Sequence, residues 1–368
     1  TLNKGVTMSQ DTVVRKIRLS KAKSYVKKAF DKKRPVFLWG PPGIGKSELM
    51  QQITEEDNGF LIDLRLPLLD PTDIKGYPYR NPETNTMEWA SPAELPTEEL
   101  CSQYDKVVLF LDELNAAPPA VQASAYQLVL NRRVGQYHLP ENVVVVAAGN
   151  RETDKGVTYK MPSPLENRFL HFELEVSFDD WQGWAINNGI NADVIGYLSA
   201  NKADLFDFDP KSSSRSFATP RSWTFVSELI SDGDLEGNDL LEMVASAVGE
   251  GMAVKFMTHK KFAADLPKPI DVLEGNVTEL KVKEISANFA LTVSLCYELK
   301  EVEKQGDEKK LIEYVNNFLQ FTMKNFETEM NVLAAITLFR DYDLEFDHYN
   351  VKSWDDFSDK YIQYWVED

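Results

Sequence analysis

Cysteine is almost missing from this chain: Cys101 and Cys296 are its two thiols. They share no metal-ligand spacing and no redox motif, so a disulfide framework and a thiolate metal site are excluded. Both read as buried free thiols of a reducing, cytoplasmic compartment. Histidine is scarce as well, with four scattered residues and no paired zinc motif, so no dedicated metal cluster is expected. Long apolar runs are lacking too. The "VVVVAA" run from Val143 to Ala148 falls far short of the about 20 residues that a membrane-spanning helix needs. The N-terminal region is rich in Lys and Arg without a following apolar block, so no export signal is read there. The Asn276-Val277-Thr278 sequon consequently carries no weight. Thr1 opens the chain, whereas Met8-Ser9-Gln10 would make a natural start, and residues 1–7 read as an upstream extension. Internal repeats and low-complexity segments are not found.

Positive charge is in short supply, and unevenly so. The net charge is −18, yet residues 2–170 carry a net of about +1, which leaves about −19 on the remainder. Such a field repels phosphates in bulk, which argues against a protein that coats itself in nucleic acid. A local basic channel inside an assembly stays open as an alternative.

The two halves differ in pattern. Five β-rich runs punctuate the first: Pro35–Trp39, Phe60–Leu66, Lys106–Leu111, Val143–Ala148 and Leu170–Glu175. Near-continuous Val, Leu and Phe fit strands buried on both faces, and their alternation with helical stretches predicts a parallel α/β layer. In the second half Ile285, Phe289, Val293 and Cys296 recur at helical spacing, as do Leu311, Val315, Phe318 and Leu319. These stripes predict the core of a helical bundle. The expected class is α/β with a P-loop parallel sheet flanked by helices, followed by an all-α lid and a helical C-terminal extension. The expected domains are 1–175, 176–262 and 263–368.

The stretch "GPPGIGKS" from Gly40 to Ser47 fits G-x-x-x-x-G-K-[ST] between a strand and a helix. Gly43 and Gly45 let the backbone fold into a nest of inward N–H groups, and the helix offers its positive end to the same anion. Lys46 offsets the β and γ oxygens, and the Ser47 hydroxyl can ligate Mg²⁺. The nucleotide cradle is therefore expected at Gly40, Pro41, Pro42, Gly43, Ile44, Gly45, Lys46, Ser47 and Glu48. A second apolar run ends in Asp112-Glu113. Asp112 suits the magnesium ion beside Ser47, and Glu113 can polarise a water for attack on the γ-phosphorus. A third run ends at Asn150, an uncharged residue able to orient that water. The three runs together predict an ATP-hydrolysing site with ATP and Mg²⁺ as its ligands.

With these segments the chain resembles the AAA+ ATPases, and within them the MoxR-like branch, over roughly Val13 to Leu229. Asn150 is similar to the sensor 1 residue of that family. "MPSPLENRFLHFEL" resembles its arginine-finger segment, with Arg168 as the finger, and "FATPRSW" its sensor 2 motif, with Arg221 as the sensor. "LLDPTDIKGYPYRNPETNTMEWASPAELP" resembles the insertion into helix 2, and "NRRVGQYHLPENVVVVAAGN" the hairpin before sensor 1. The resemblance implies a homo-oligomeric ring, a hexamer, in which Arg168 reaches the neighbour's γ-phosphate and Arg221 acts in cis. Arg132, Arg133 and Arg151 compete for the trans contact. The insertion would sit at the central pore, where Tyr77, Tyr79 and Trp89 could grip a partner, although Trp89 could equally pack the insertion onto its own base.

Remodelling or maturation of a protein partner, one carrying a von Willebrand factor A domain, is the function this resemblance implies. A nucleic-acid translocase or restriction-type motor subunit is the alternative, fed by the basic stretch "VVRKIRLSKAKSYVKKAFDKKR". The plainer reading of those lysines is the solvated face of an amphipathic helix. A nucleotide-gated scaffold without hydrolysis is a third reading, and intact Asp112, Glu113 and Asn150 argue against it.

Overall fold

Runs of β-branched and aromatic residues build the main sheet, and the chain divides into two units at Val176/Ser177. The computed structural model describes residues 15–151, 154, 158–212 and 214–361. Residues 1–7 and Met8 lie outside these residues.

The elements of the first unit are β1 (Lys16–Arg18), α1 (Leu19–Asp31), β2 (Val36–Trp39), α2 (Lys46–Glu56), β3 (Phe60–Arg65) and α3 (Pro71–Lys75). They continue with β4 (Tyr77–Arg80), β5 (Met87–Ala90), α4 (Glu98–Cys101), β6 (Val107–Asp112) and α5 (Pro119–Asn131). The hairpin β7 (Arg133–Val134) and β8 (Tyr137–His138) leads to β9 (Val143–Gly149), α6 (Ser163–Glu166) and β10 (Leu170–Glu175). Six strands form a sheet in the order β1-β10-β2-β9-β6-β3, with every neighbouring pair parallel. Because all run the same way, the loops after β2, β6 and β9 emerge on one edge, where α/β sheets place their ligands.

Burial follows from sequence. β6 and β9 are buried along their whole length, as continuous apolar runs require. Val121, Ala125 and Leu128 of α5 close one face over Leu109, Leu111, Val145 and Ala147. Each fully buried Val or Leu contributes roughly 1.5–3 kcal/mol, so this layer fixes the strand ends firmly. The strand β1 was not expected. Its three residues alternate charge with Ile17, the one buried position, and so give no apolar run to read. The basic stretch after it is the amphipathic helix α1, with Ala22, Val26, Ala29 and Phe30 buried. Lys27 binds the carboxylates of Glu56 and Asp57 at 2.9 and 2.8 Å, and Lys23 also pairs with Glu56.

The second unit is helical: α7 (Phe178–Asn187), α8 (Ala192–Ala200), α9 (Pro220–Ser231), α10 (Gly237–Val248) and α11 (Glu250–Ala263). It ends with α12 (Pro269–Leu273), α13 (Ile285–Gln305), α14 (Glu308–Asn325), α15 (Thr328–Ile336) and α16 (Trp354–Tyr361). Val293, Cys296, Leu311, Val315, Phe318 and Leu319 are buried, as the stripes predict. Ile285 departs from its stripe and is 67% exposed, because it is the first residue of α13. That helix packs through small residues instead. A Cβ on Gly196 would come within 2.5 Å of the Ala290 Cα, so α8 and α13 approach at backbone distance. None of the described helices is long and apolar enough to cross a membrane.

Candidate nucleotide-binding site

The candidate site forms where β2 gives way to α2. Gly43 and Gly45 take φ values of 78° and 94°, a left-handed backbone that residues with a Cβ rarely adopt. Gly45 is the residue immediately before α2, and Lys46 and Ser47 are the first two residues of that helix. The Lys46 ammonium donates to the carbonyls of Gly40 and Pro41 at 2.6 and 3.0 Å and to Asn150 Oδ1 at 3.1 Å. The loop and the end of β9 are joined a second time, where the Gly40 N–H donates to the Gly149 carbonyl at 3.2 Å. Lys46 and Asn150, distant in sequence, thus meet at one point of the sheet edge.

β6 delivers the carboxylates. Asp112 ends the strand and is 6% exposed. Its Oδ1 accepts from the Glu113 N–H at 2.9 Å. Its Oδ2 takes no part in that bond. A carboxylate oxygen of this kind suits a hard divalent cation such as magnesium, and Ser47, the second residue of α2, carries a hydroxyl of the same ligand class. Glu113 itself has φ 55° and ψ 35°, left-handed for a residue that is not glycine. Such a backbone costs on the order of 1–3 kcal/mol and is held only where the surroundings over-determine it.

Asn115 was not anticipated, and it is what braces this corner. It is 3% exposed, and its Nδ2 donates to the Asn150 carbonyl at 2.7 Å. Its Oδ1 is buried without a hydrogen-bond partner. That oxygen sits close against Gly149, where a Cβ would lie 2.2 Å from it. A sequence signal did exist: a polar residue inside "LNAAP", matched by a glycine just before Asn150.

The arginines separate cleanly. Arg132 donates to the carbonyls of Val143 and Pro140 at 2.9 and 2.7 Å, fastening the β7–β8 hairpin to the start of β9. Arg151 binds Asp154 through Nε and Nη2 and Glu173 through Nη1 at 2.8 Å. The hydrogen bonds to Asp154, more than any other contact, raise its pKa further above the usual guanidinium range. Both are therefore engaged within their own chain. Arg168 and Arg133 are exposed in the first unit. Arg221 is exposed in the second unit, at the second position of α9 behind the Thr219–Ser222 capping box. Burial, with a smaller contribution from Asp112, pushes the Asp63 carboxyl of β3 up.

In the insertion, α3 ends at Gly76 and β4–β5 form an antiparallel hairpin. Tyr77 is 71% and Met87 66% exposed, while Trp89 is half-buried and its backbone N–H donates to Gln136 Oε1 at 3.3 Å.

Residues 36–176 match the family described as "ATPase family associated with various cellular activities (AAA)". Midasin of Giardia intestinalis is 26% identical over 191 residues, which cover 49% of this chain. The matched part spans only 4% of that relative's length. Among solved structures, the RuvB Holliday junction branch migration motor of Thermotoga maritima is similar at 18% identity and a TM-score of 0.35. The match covers 70% of this chain and 77% of that one. NtrX from Brucella abortus in complex with ATP is similar at 12% identity and a TM-score of 0.38, covering 82% of this chain and 66% of that one. The family match, falling on the sheet whose loops carry Lys46, Asp112 and Asn150, means that residues 36–176 carry an ATPase domain of the AAA kind.

Proposed function

We propose that this chain is a subunit of a MoxR-type AAA+ ring, a hexamer, that couples ATP hydrolysis to remodelling or maturation of a protein partner. The observation that carries the ATPase chemistry is the meeting of Lys46 with Asn150 at 3.1 Å. It puts the cation that offsets the triphosphate beside the group that orients the attacking water.

In this reading Gly40 to Glu48 wrap the triphosphate, with the N–H groups of the loop and α2 as donors. Lys46 exchanges its carbonyl partners for the β and γ oxygens. Ser47 and Asp112 would hold a magnesium ion, whose charge neutralises those oxygens. Glu113 accepts a proton from the attacking water, and its fixed left-handed backbone aims the carboxylate at one position. Arg168 meets the γ-phosphate of the neighbouring subunit, and Arg221 senses nucleotide from a lid at 176–262, followed by an extension at 263–368. Arg132 and Arg151 are committed elsewhere, which supports Arg168 in that role.

Exposed Tyr77, Tyr79 and Met87 on the β4–β5 hairpin support a protein partner, one carrying a von Willebrand factor A domain. The nucleic-acid alternative is weakened, because Lys23, Lys27 and Arg132 are engaged within the chain. A Glu113→Gln ring, which binds ATP without turning it over, should retain its partner for identification. Recovery of nucleic acid instead of protein from that ring would replace the remodelling role by the translocase one. Arg168→Ala subunits mixed with Lys46→Ala subunits should regain activity, since one pocket in the mixed ring is complete. Mixed rings without recovery would remove Arg168 as the finger.

A further inference from the structure

Arg168 lies two residues after α6 and two before β10, in a turn with unusual support. The Trp39 indole Nε1 bonds His171 Nδ1 at 2.9 Å, and His171 Nε2 bonds the Glu166 carbonyl at 2.7 Å. An indole nitrogen can only donate, so Nδ1 must be the accepting nitrogen. The proton of the neutral ring is then on Nε2, which donates to Glu166. The same carbonyl accepts from the Phe169 N–H at 3.3 Å, and the Arg168 N–H donates to Leu165 at 3.0 Å. One imidazole therefore ties the turn around Arg168 to Trp39, the last residue before the phosphate loop.

Strand register reinforces the tie. His171 and Glu173 lie opposite Phe37 and Trp39, so one face of β10 meets one face of β2. Phe37 stacks on Trp39 at 4.1 Å between ring centres, and Phe169 packs edge-on against Phe37 at 5.4 Å. Two residues along, Glu173 binds Arg151, the neighbour of Asn150. The strand that follows Arg168 is thus fastened to both strands whose loops meet at Lys46.

We propose that His171 is a positioning residue for Arg168: bridging Trp39 and the Glu166 carbonyl, it sets the angle at which the arginine leaves its subunit. The inference rests on the reading of Arg168 as the trans finger. Loss of the bridge displaces a cation that must reach a γ-phosphate, and a misplacement of about 1 Å can lower a rate by about a hundredfold.

The test compares Arg168→Ala, His171→Phe, Trp39→Phe and His171→Gln in the full chain. His171→Phe keeps the ring contacts and loses both hydrogen bonds. His171→Gln keeps a donor for Glu166. Expected is a tenfold to hundredfold loss of kcat, as an order of magnitude, for His171→Phe. ATP affinity should stay within about twofold, and His171→Gln should recover part of the rate. Mixing His171→Phe with Lys46→Ala subunits should restore activity as Arg168→Ala does, because the defect lies in what the subunit supplies to its neighbour. Nitrogen-15 imidazole spectra of the unsubstituted protein should show the proton on Nε2, a readout that survives even where a variant fails to fold. A proton on Nδ1 overturns the bridge. So does a normal rate for His171→Phe beside an inactive Arg168→Ala, or a defect that Lys46→Ala subunits do not rescue. Full activity of Arg168→Ala itself overturns the finger reading, and the positioning role with it, by a separate measurement.

Discussion

The two units of this chain use polar atoms differently. In the sheet unit the described buried side chains are hydrogen-bonded with one exception, Asn115 Oδ1, and that atom lies at the candidate site. In the helical unit, Trp181 Nε1, both ring nitrogens of His259, Asn288 Oδ1 and Asn331 Oδ1 are buried without partners. The contrast has a physical origin. A parallel sheet brings loop ends together at one edge, so polar groups there must be aimed, and aiming requires partners. A helical bundle satisfies its backbone within each helix, so its side chains only have to fill volume. A stray polar atom there lowers stability without spoiling a site.

The largest effects should come from the sheet unit, and from chemistry rather than stability. Lys46→Ala should abolish detectable ATP binding in a fluorescent-nucleotide titration, while Glu113→Gln keeps binding and loses turnover by on the order of 10²–10⁴. A Glu113→Gln protein that hydrolyses ATP at the normal rate would remove Glu113 from the mechanism.

Phe318→Ala reverses the pattern. Phe318 is fully buried in the helical unit, and its truncation should lower unfolding free energy by about 3–5 kcal/mol in denaturant titrations. A loss below about 1 kcal/mol would mean that the bundle core collapses around the void.

Asn115→Ala sharpens the comparison, because it should act on both quantities. The Asn150 carbonyl loses a donor, so stability falls by about 1–3 kcal/mol. Turnover should fall at least about tenfold, with ATP affinity little changed. Equal losses in affinity and turnover would instead make Asn115 a loop-forming residue.

His259 gives the smallest effect. Burial lowers its pKa below the ordinary 6.5, against a weaker upward pull from Asp193. The unfolded chain therefore takes up the proton first, and stability is lost as pH falls from about 6.5 toward the depressed value. Above that range the contribution is constant. His259→Leu should flatten this acid limb and raise stability at pH 8 by about 1 kcal/mol, since two unpartnered nitrogens leave the interior. An unchanged acid limb would place the titration on other groups.

Much of the sheet unit was legible because its signals are local. A glycine loop between a strand and a helix, and apolar runs ending in Asp112-Glu113 and Asn150, need no tertiary knowledge to be noticed. β1 escaped because three residues with one buried side chain carry no periodicity. The helical stripes were readable at Leu311, Val315, Phe318 and Leu319. At Ile285 they were not, because a helix end and a helix middle look alike in sequence.

By itself, then, the sequence marked a glycine-rich loop between a strand and a helix, whose Gly43 and Gly45 take φ values of 78° and 94°, and burying long Val runs demands a two-sided sheet. Tertiary structure alone decided which side chains meet there. Lys46 finds Asn150, Asn115 fits against Gly149, Arg151 closes on Asp154 and Glu173, and Trp39 reaches His171. Apart from the local Arg151–Asp154 pair, these meetings are set by strand order and register, and those depend on contacts between residues far apart in the chain.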